Sequence, residues 1–176
     1  QEARKVGLNV FADIGMNITY LETTRFHYRA FTGQFANDHP EYACPESKSF
    51  LDYRHPPVQD YAVAIVRELM TKYDVDGVHL DFARFAHNGA FDEASLLGVG
   101  ERIHKDRRAA EQQWGHPVAI GVRIPSYMYH TWEQYTGDYP EFLSALTAWA
   151  RNGWIDHVMV CSMLLARLPE LSLERY

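Results

Sequence analysis

Cysteine is almost missing from this 176-residue sequence. Its two cysteines, Cys44 and Cys161, lie far apart and offer neither metal-ligand spacing nor a disulfide framework, and Cys161 sits in an apolar run that reads as core. Basic residues are the minority, 17 Lys and Arg against 23 Asp and Glu, for a formal charge of -6. That balance argues against a nucleic-acid or anionic-membrane partner, which would need basic patches. No apolar run is long enough to cross a bilayer, and no segment has the pattern of a signal peptide. A glycine-rich strand-to-helix turn is lacking, which removes the usual phosphate or nucleotide cradle. The nine histidines are scattered with no His-x-His or His-x-x-x-His pair. His79-x-Asp81 is the one ligand-like pairing, so neither a metal nor a cofactor is expected.

What is present suits a single domain over residues 1–176: 47% of residues are hydrophobic, enough for a real core. Aromatics reach 14%, with 11 Tyr and 4 Trp. Such richness fits both a packed core and a carbohydrate cleft. Repeats, low-complexity tracts and linkers are not evident.

The most informative stretch is Tyr73-Asp74-Val75-Asp76-Gly77-Val78-His79-Leu80-Asp81-Phe82. Strand side chains alternate between faces, so Val78, Leu80 and Phe82 form an apolar face while Gly77, His79 and Asp81 form the other. A carboxylate on the inward face at a strand's C-terminal end is the position active-site residues take in an α/β barrel. Val58–Lys72 is predicted as the amphipathic helix before this strand, with Pro57 at the first helical position. Val6–Asp13 is predicted as an earlier strand that also ends in a carboxylate, followed by a long aromatic loop over 15–50. A helix over Asp92–Trp114, weakened by Gly98 and Gly100, leads to a strand over Val118–Pro125. A second aromatic loop, a helix over Pro140–Arg151 and a strand from His157 to Ser162 complete the pattern. Alternating strands and helices predict a parallel sheet whose C-terminal ends share one rim, with Asp13, His79, Asp81, Arg84 and Arg123 on it. About four strands are half of a closed (β/α)8 barrel, which needs eight strands and roughly 250 residues. The expectation is an α/β fold, either a partial TIM barrel or a smaller sheet.

Several motifs stand in order along the chain: His39-Pro40-Glu41-Tyr42, Leu51-Asp52, Pro57-Val58-Gln59-Asp60-Tyr61, Tyr73 to Phe82, Gly121-Val122-Arg123-Ile124-Pro125, and Asn152 to Met159. Together they resemble the glycosyl-hydrolase-like family 10 domains, a group of bacterial glycoside hydrolases. The resemblance implies a TIM barrel of which this chain is a part lacking N- and C-terminal strands. It also implies a secreted or periplasmic location and a poly- or oligosaccharide substrate.

Under that resemblance Asp81 ends the barrel's fourth strand, the nucleophile position of amylase-like barrels, where a carboxylate attacks the anomeric carbon. The other reading of Asp81 is a strand-end residue that caps the next loop or pairs with Arg84. Arg123, on the next strand's inward end, would hold Asp81 as an anion, bind a substrate hydroxyl or carboxylate, or form a structural ion pair. His79 reads as an orienting hydrogen-bonder, and Asp13 as a residue that holds Arg123 or sugar hydroxyls. No acidic residue ends the last two strands, so the general acid is left open among Glu41, Glu133, Asp138 and residues elsewhere. Tyr20, Phe26, Tyr28, Tyr42, Tyr127, Tyr129 and Trp132 are candidates for stacking on sugar rings. Two rival functions remain at this point, a non-catalytic carbohydrate-binding barrel and a metal-dependent hydrolase.

Overall fold

The computed structural model describes residues 2–16, 33–45, 47–83, 91–125 and 140–161. A turn of helix, α1 (Glu2–Lys5), precedes strand β1 (Phe11–Gly15). The strand expected over Val6–Asp13 is therefore displaced toward the C-terminus. Gly7 takes φ 77°, a left-handed conformation that glycine adopts without strain, and turns the chain off the helix. Val6 and Leu8, read as strand residues, are exposed there.

Within the long segment after β1, the described residues carry more structure than a loop. Helix α2 (Gln34–Asp38) and a 3-10 turn (Pro40–Tyr42) lead into an antiparallel pair, β2 (Ala43–Cys44) and β3 (Ser47–Leu51). The pair is short and irregular in register, so no alternation marks it in the sequence. Helix α3 (Pro56–Lys72) starts with both prolines in its first turn, where no intrahelical N–H is required. Its buried side is Val58, Ala62, Val63, Val66 and Met70.

Strand β4 (Gly77–Asp81) follows, then helix α4 (Glu93–Trp114). Asp92 caps α4: its carboxylate accepts the Ser95 N–H at 2.8 Å, while Ser95 Oγ accepts the Asp92 N–H at 3.1 Å. Strand β5 (Ala119–Pro125), helix α5 (Pro140–Arg151) and strand β6 (His157–Cys161) close the described chain. The four main strands lie in the order β1-β4-β5-β6, every pair parallel. Each helical crossover steps the same way along the sheet, and right-handed crossovers then put all three helices on one face. α3 packs on α4, and α4 on α5. The result is α/β, a partial TIM-barrel-like fold.

The core lies between sheet and helices. Val78, Leu80 and Phe82 meet Ile120 and Val122 in it, and all five are essentially inaccessible. Gly100 belongs to this packing: a Cβ there would lie 2.3 Å from Trp149 Nε1, so the glycine that costs α4 helix propensity admits the α5 indole. At the strands' N-terminal ends, a single device recurs. Asp76 donates its N–H to Val10 O at 2.8 Å and accepts the Val10 N–H on its carboxylate at 2.6 Å. Asp156 does the same with Ile120, at 2.8 and 2.7 Å. Arg4 pairs with Asp76 at 2.9 Å and Arg107 with Asp156 at 3.0 Å. These carboxylates extend the strand ladders, and they stand at the end of the sheet opposite Asp81.

Candidate functional site

The face opposite the helices carries the polar residues. Strand register aligns Asp13, His79, Gly121 and His157 in one row. Gly15, Asp81, Arg123 and Met159 form the next row toward the C-terminal ends. This inward row pattern is what the alternation of His79 and Asp81 predicts.

Asp81 is 8% exposed. Its Oδ1 accepts the Ala83 N–H at 2.8 Å, and its Oδ2 accepts Arg123 Nη1 at 2.9 Å. The strand-end cap is present and Asp81 is ion-paired with Arg123, while the expected pairing with Arg84 falls outside the described residues. Backbone bonds fix both ends of this contact: Met16 N–H donates to Asp81 O at 3.0 Å, and Phe82 N–H to Arg123 O at 2.9 Å. Tyr53, fully buried, donates its hydroxyl to Met16 O and so ties β1 to the segment before α3.

Arg123 gathers the site. Besides Asp81, Nη1 donates to Asp13 Oδ2 at 3.1 Å, and Nη2 donates to Cys161 Sγ at 3.0 Å. The Cys161 contact first, and after it the two carboxylates against a cost from burial, hold the guanidinium above its ordinary pKa. Because Asp13 Oδ2 and Asp81 Oδ2 share one nitrogen at 3.1 and 2.9 Å, they are no more than 6.0 Å apart. Retaining glycosidases hold their two carboxyl groups about 5–5.5 Å apart. A proton on Asp13, however, would remove its ion pair with Arg123, which suits Asp13 to holding Arg123 rather than to proton donation.

One row below, His79 Nε2 meets His157 Nε2 at 3.1 Å, and His79 Nδ1 lies 3.9 Å from Asp13 Oδ2. Phe11 stacks on His79 with centroids 4.5 Å apart. Burial first, and then the neighbouring His157, push the His79 imidazole below its ordinary pKa. Gly121 makes the pairing possible, since a Cβ there would sit 2.3 Å from His157 Nε2.

Glu41 is bonded within its own turn. It is exposed and accepts His39 Nδ1 at 3.1 Å, on a turn where His39 stacks on Tyr42. Its own backbone N–H and then His39 hold the Glu41 carboxyl below its ordinary pKa, which favours an anion over a proton donor. Asp52 is buried and clasped by Arg54, with Nη2 to Oδ2 at 2.6 Å. Burial works against the Asp52 anion, and the bonds from Arg54 outweigh it, leaving its pKa lowered. Arg84, Tyr127, Trp132, Glu133, Asp138, Tyr20, Phe26, Tyr28 and Tyr129 lie outside the described residues.

Sequence reasoning missed His157 and misread Cys161. Both stand on the inward face of β6, half-buried, and Cys161 faces Arg123 rather than the helix-packed core. Only the register of β6 against β5 reveals them, because their neighbours lie far off in sequence. Among the described residues, no three His, Cys, Asp or Glu side chains cluster at metal-binding spacing.

A parallel α/β sheet with a buried carboxylate and an arginine at its C-terminal rim fits a partial TIM-barrel-like fold, in which functional residues gather at that rim. The particular family follows from the sequence match: a family model, glycosyl hydrolase-like 10, covers residues 1–94, and the chain belongs to that family. Membership points to a glycosidase-related function. No curated protein matches the chain.

Proposed function

We propose that the chain forms one barrel-type domain that cleaves glycosidic bonds of a poly- or oligosaccharide, with Asp81 as the nucleophile. The observation that carries this reading is the Asp81 carboxylate, buried at the strand end and fixed by Ala83 N–H and Arg123. Preorganised donors keep such a carboxylate aimed, and each carboxylate oxygen retains a second lone pair for attack on an anomeric carbon. Arg123 positions Asp81, and Asp13 in turn positions Arg123. Asp13 and His79 line the floor toward a bound sugar, and Arg84, Tyr127 and Trp132 are proposed as further substrate contacts. Glu41, anionic and paired with His39, is a sugar-hydroxyl acceptor rather than the acid.

A second reading, a carbohydrate-binding barrel without turnover, draws on one observation. Around Arg123, among the described residues, the bonded carboxylates are Asp13 and Asp81, both acceptors to the same nitrogen. Turnover of aryl glycosides and polysaccharides by the full-length parent protein, wild type against Asp81→Asn, separates the two. The catalytic reading expects cleavage that falls by several orders of magnitude while glycan binding survives. Glycan binding by the wild type without cleavage would overturn it in favour of the binding barrel.

A further inference from the structure

The His79–His157 contact has no part in the proposed attack by Asp81, yet it is built with care. Its imidazoles come from β4 and β6 and meet over Gly121 of β5, at 3.1 Å between Nε2 atoms. Among the described residues, the charged groups facing them are Asp13 from β1, 3.9 Å from His79 Nδ1, and Arg123 from β5. Phe11 covers the pair from β1 with an uncharged ring.

We propose that this pair is a one-proton positioning element that divides Arg123 between Asp13 and Asp81. An N···N contact of this length needs one hydrogen between the nitrogens. With His79 protonated on Nδ1 toward Asp13, His157 donates through Nε2 and both rings are neutral. One added proton keeps the bond, since one Nε2 still accepts. Two added protons place N–H against N–H, and the contact breaks. The added proton has its best counterion on the His79 side, where Asp13 Oδ2 is also the acceptor of Arg123 Nη1 at 3.1 Å. A cationic His79 draws Asp13 toward itself and leaves Arg123 to Asp81 and Cys161. Burial and His157 both act against charge on His79, in keeping with a His79 that is neutral at rest. The inference does not depend on what Asp81 attacks.

Imidazole nitrogen and carbon NMR of the full-length protein, titrated from pH 8 to 5, tests it. The pair should take up about one proton in that range, with the two rings titrating as a coupled unit. His157→Gln, which keeps one hydrogen bond but cannot titrate, should raise the His79 midpoint. Asp13→Asn should lower it, and the Arg123 guanidinium resonances should move with the His79 midpoint in the wild type. Uptake of two protons with the fold intact, or a His79 midpoint indifferent to His157→Gln, would overturn the proposal. Should the variants not fold, the wild-type tautomers decide: Nδ1–H on His79 with Nε2–H on His157 supports it, and any other assignment refutes it.

Discussion

Two glycines two residues apart in α4 should respond to alanine with opposite signs. Helix propensity alone predicts that Gly98→Ala and Gly100→Ala each stabilise by about 0.8–1 kcal/mol. At Gly98 nothing among the described residues opposes this, because their nearest atom to a new Cβ is Gln59 Oε1 at 3.6 Å, ordinary van der Waals contact. At Gly100 the new Cβ would lie 2.3 Å from Trp149 Nε1 and 2.4 Å from its Cε2. Trp149 is 1% exposed and cannot swing into solvent without vacating the α4–α5 core. Overpacking of this kind costs about 1–3 kcal/mol. Displacement of the indole also strains its hydrogen bond to Leu96 O, 3.2 Å long, and a buried donor left unpaired costs about 1–3 kcal/mol more. Gly98→Ala should therefore gain about 1 kcal/mol and Gly100→Ala lose about 1–5 kcal/mol. Urea unfolding of the full-length protein, followed by tryptophan emission, measures both. A Gly100→Ala protein as stable as Gly98→Ala, with unchanged tryptophan emission, would refute the packing of Trp149 on that helix face.

Tyr53→Phe removes the hydroxyl that donates to Met16 O in a fully buried setting, and should cost about 1–2 kcal/mol in chemical denaturation with little change in the fold. Asp76→Asn keeps an acceptor for Val10 N–H but loses the charge that Arg4 faces, for about 1 kcal/mol at neutral pH. The Val10 hydrogen bond, before the contribution of Arg4, depresses the folded-state pKa of Asp76. Its stabilisation is thus complete above the unfolded value of about 3.9 and disappears as pH falls through the folded one, so the acid limb of melting temperature against pH should be shallower in Asp76→Asn. For His79 the sign is the same at a higher pH: its lowered pKa means the unfolded chain binds the proton first, and stability declines as pH drops through about 6.5. Arg123→Lys retains a cation but cannot reach Asp13, Asp81 and Cys161 together, so glycan turnover should fall by about 10²-fold in kcat, with KM changed less. Unchanged kcat would remove Arg123 from the positioning of Asp81.

Much of this arrangement is written in local sequence. Alternation in Val78-His79-Leu80-Asp81-Phe82 determines which side chains enter the core and which reach the inward face, because a strand has a period of two. Prolines 56 and 57, Asp92 and Gly115 mark helix ends by backbone chemistry that needs no tertiary contact. The motif order from His39 to Phe82 lies within the residues that the family model matches. Tertiary structure alone decides what lies beside what. His157 meets His79, Cys161 meets Arg123, and Gly100 receives Trp149 only because parallel strands in the order β1-β4-β5-β6 bring distant segments into register. The displaced start of β1 has the same origin. Val10 enters the ladder through the Asp76 carboxylate and not through a strand of its own, a bond between residues 66 positions apart that no local pattern encodes.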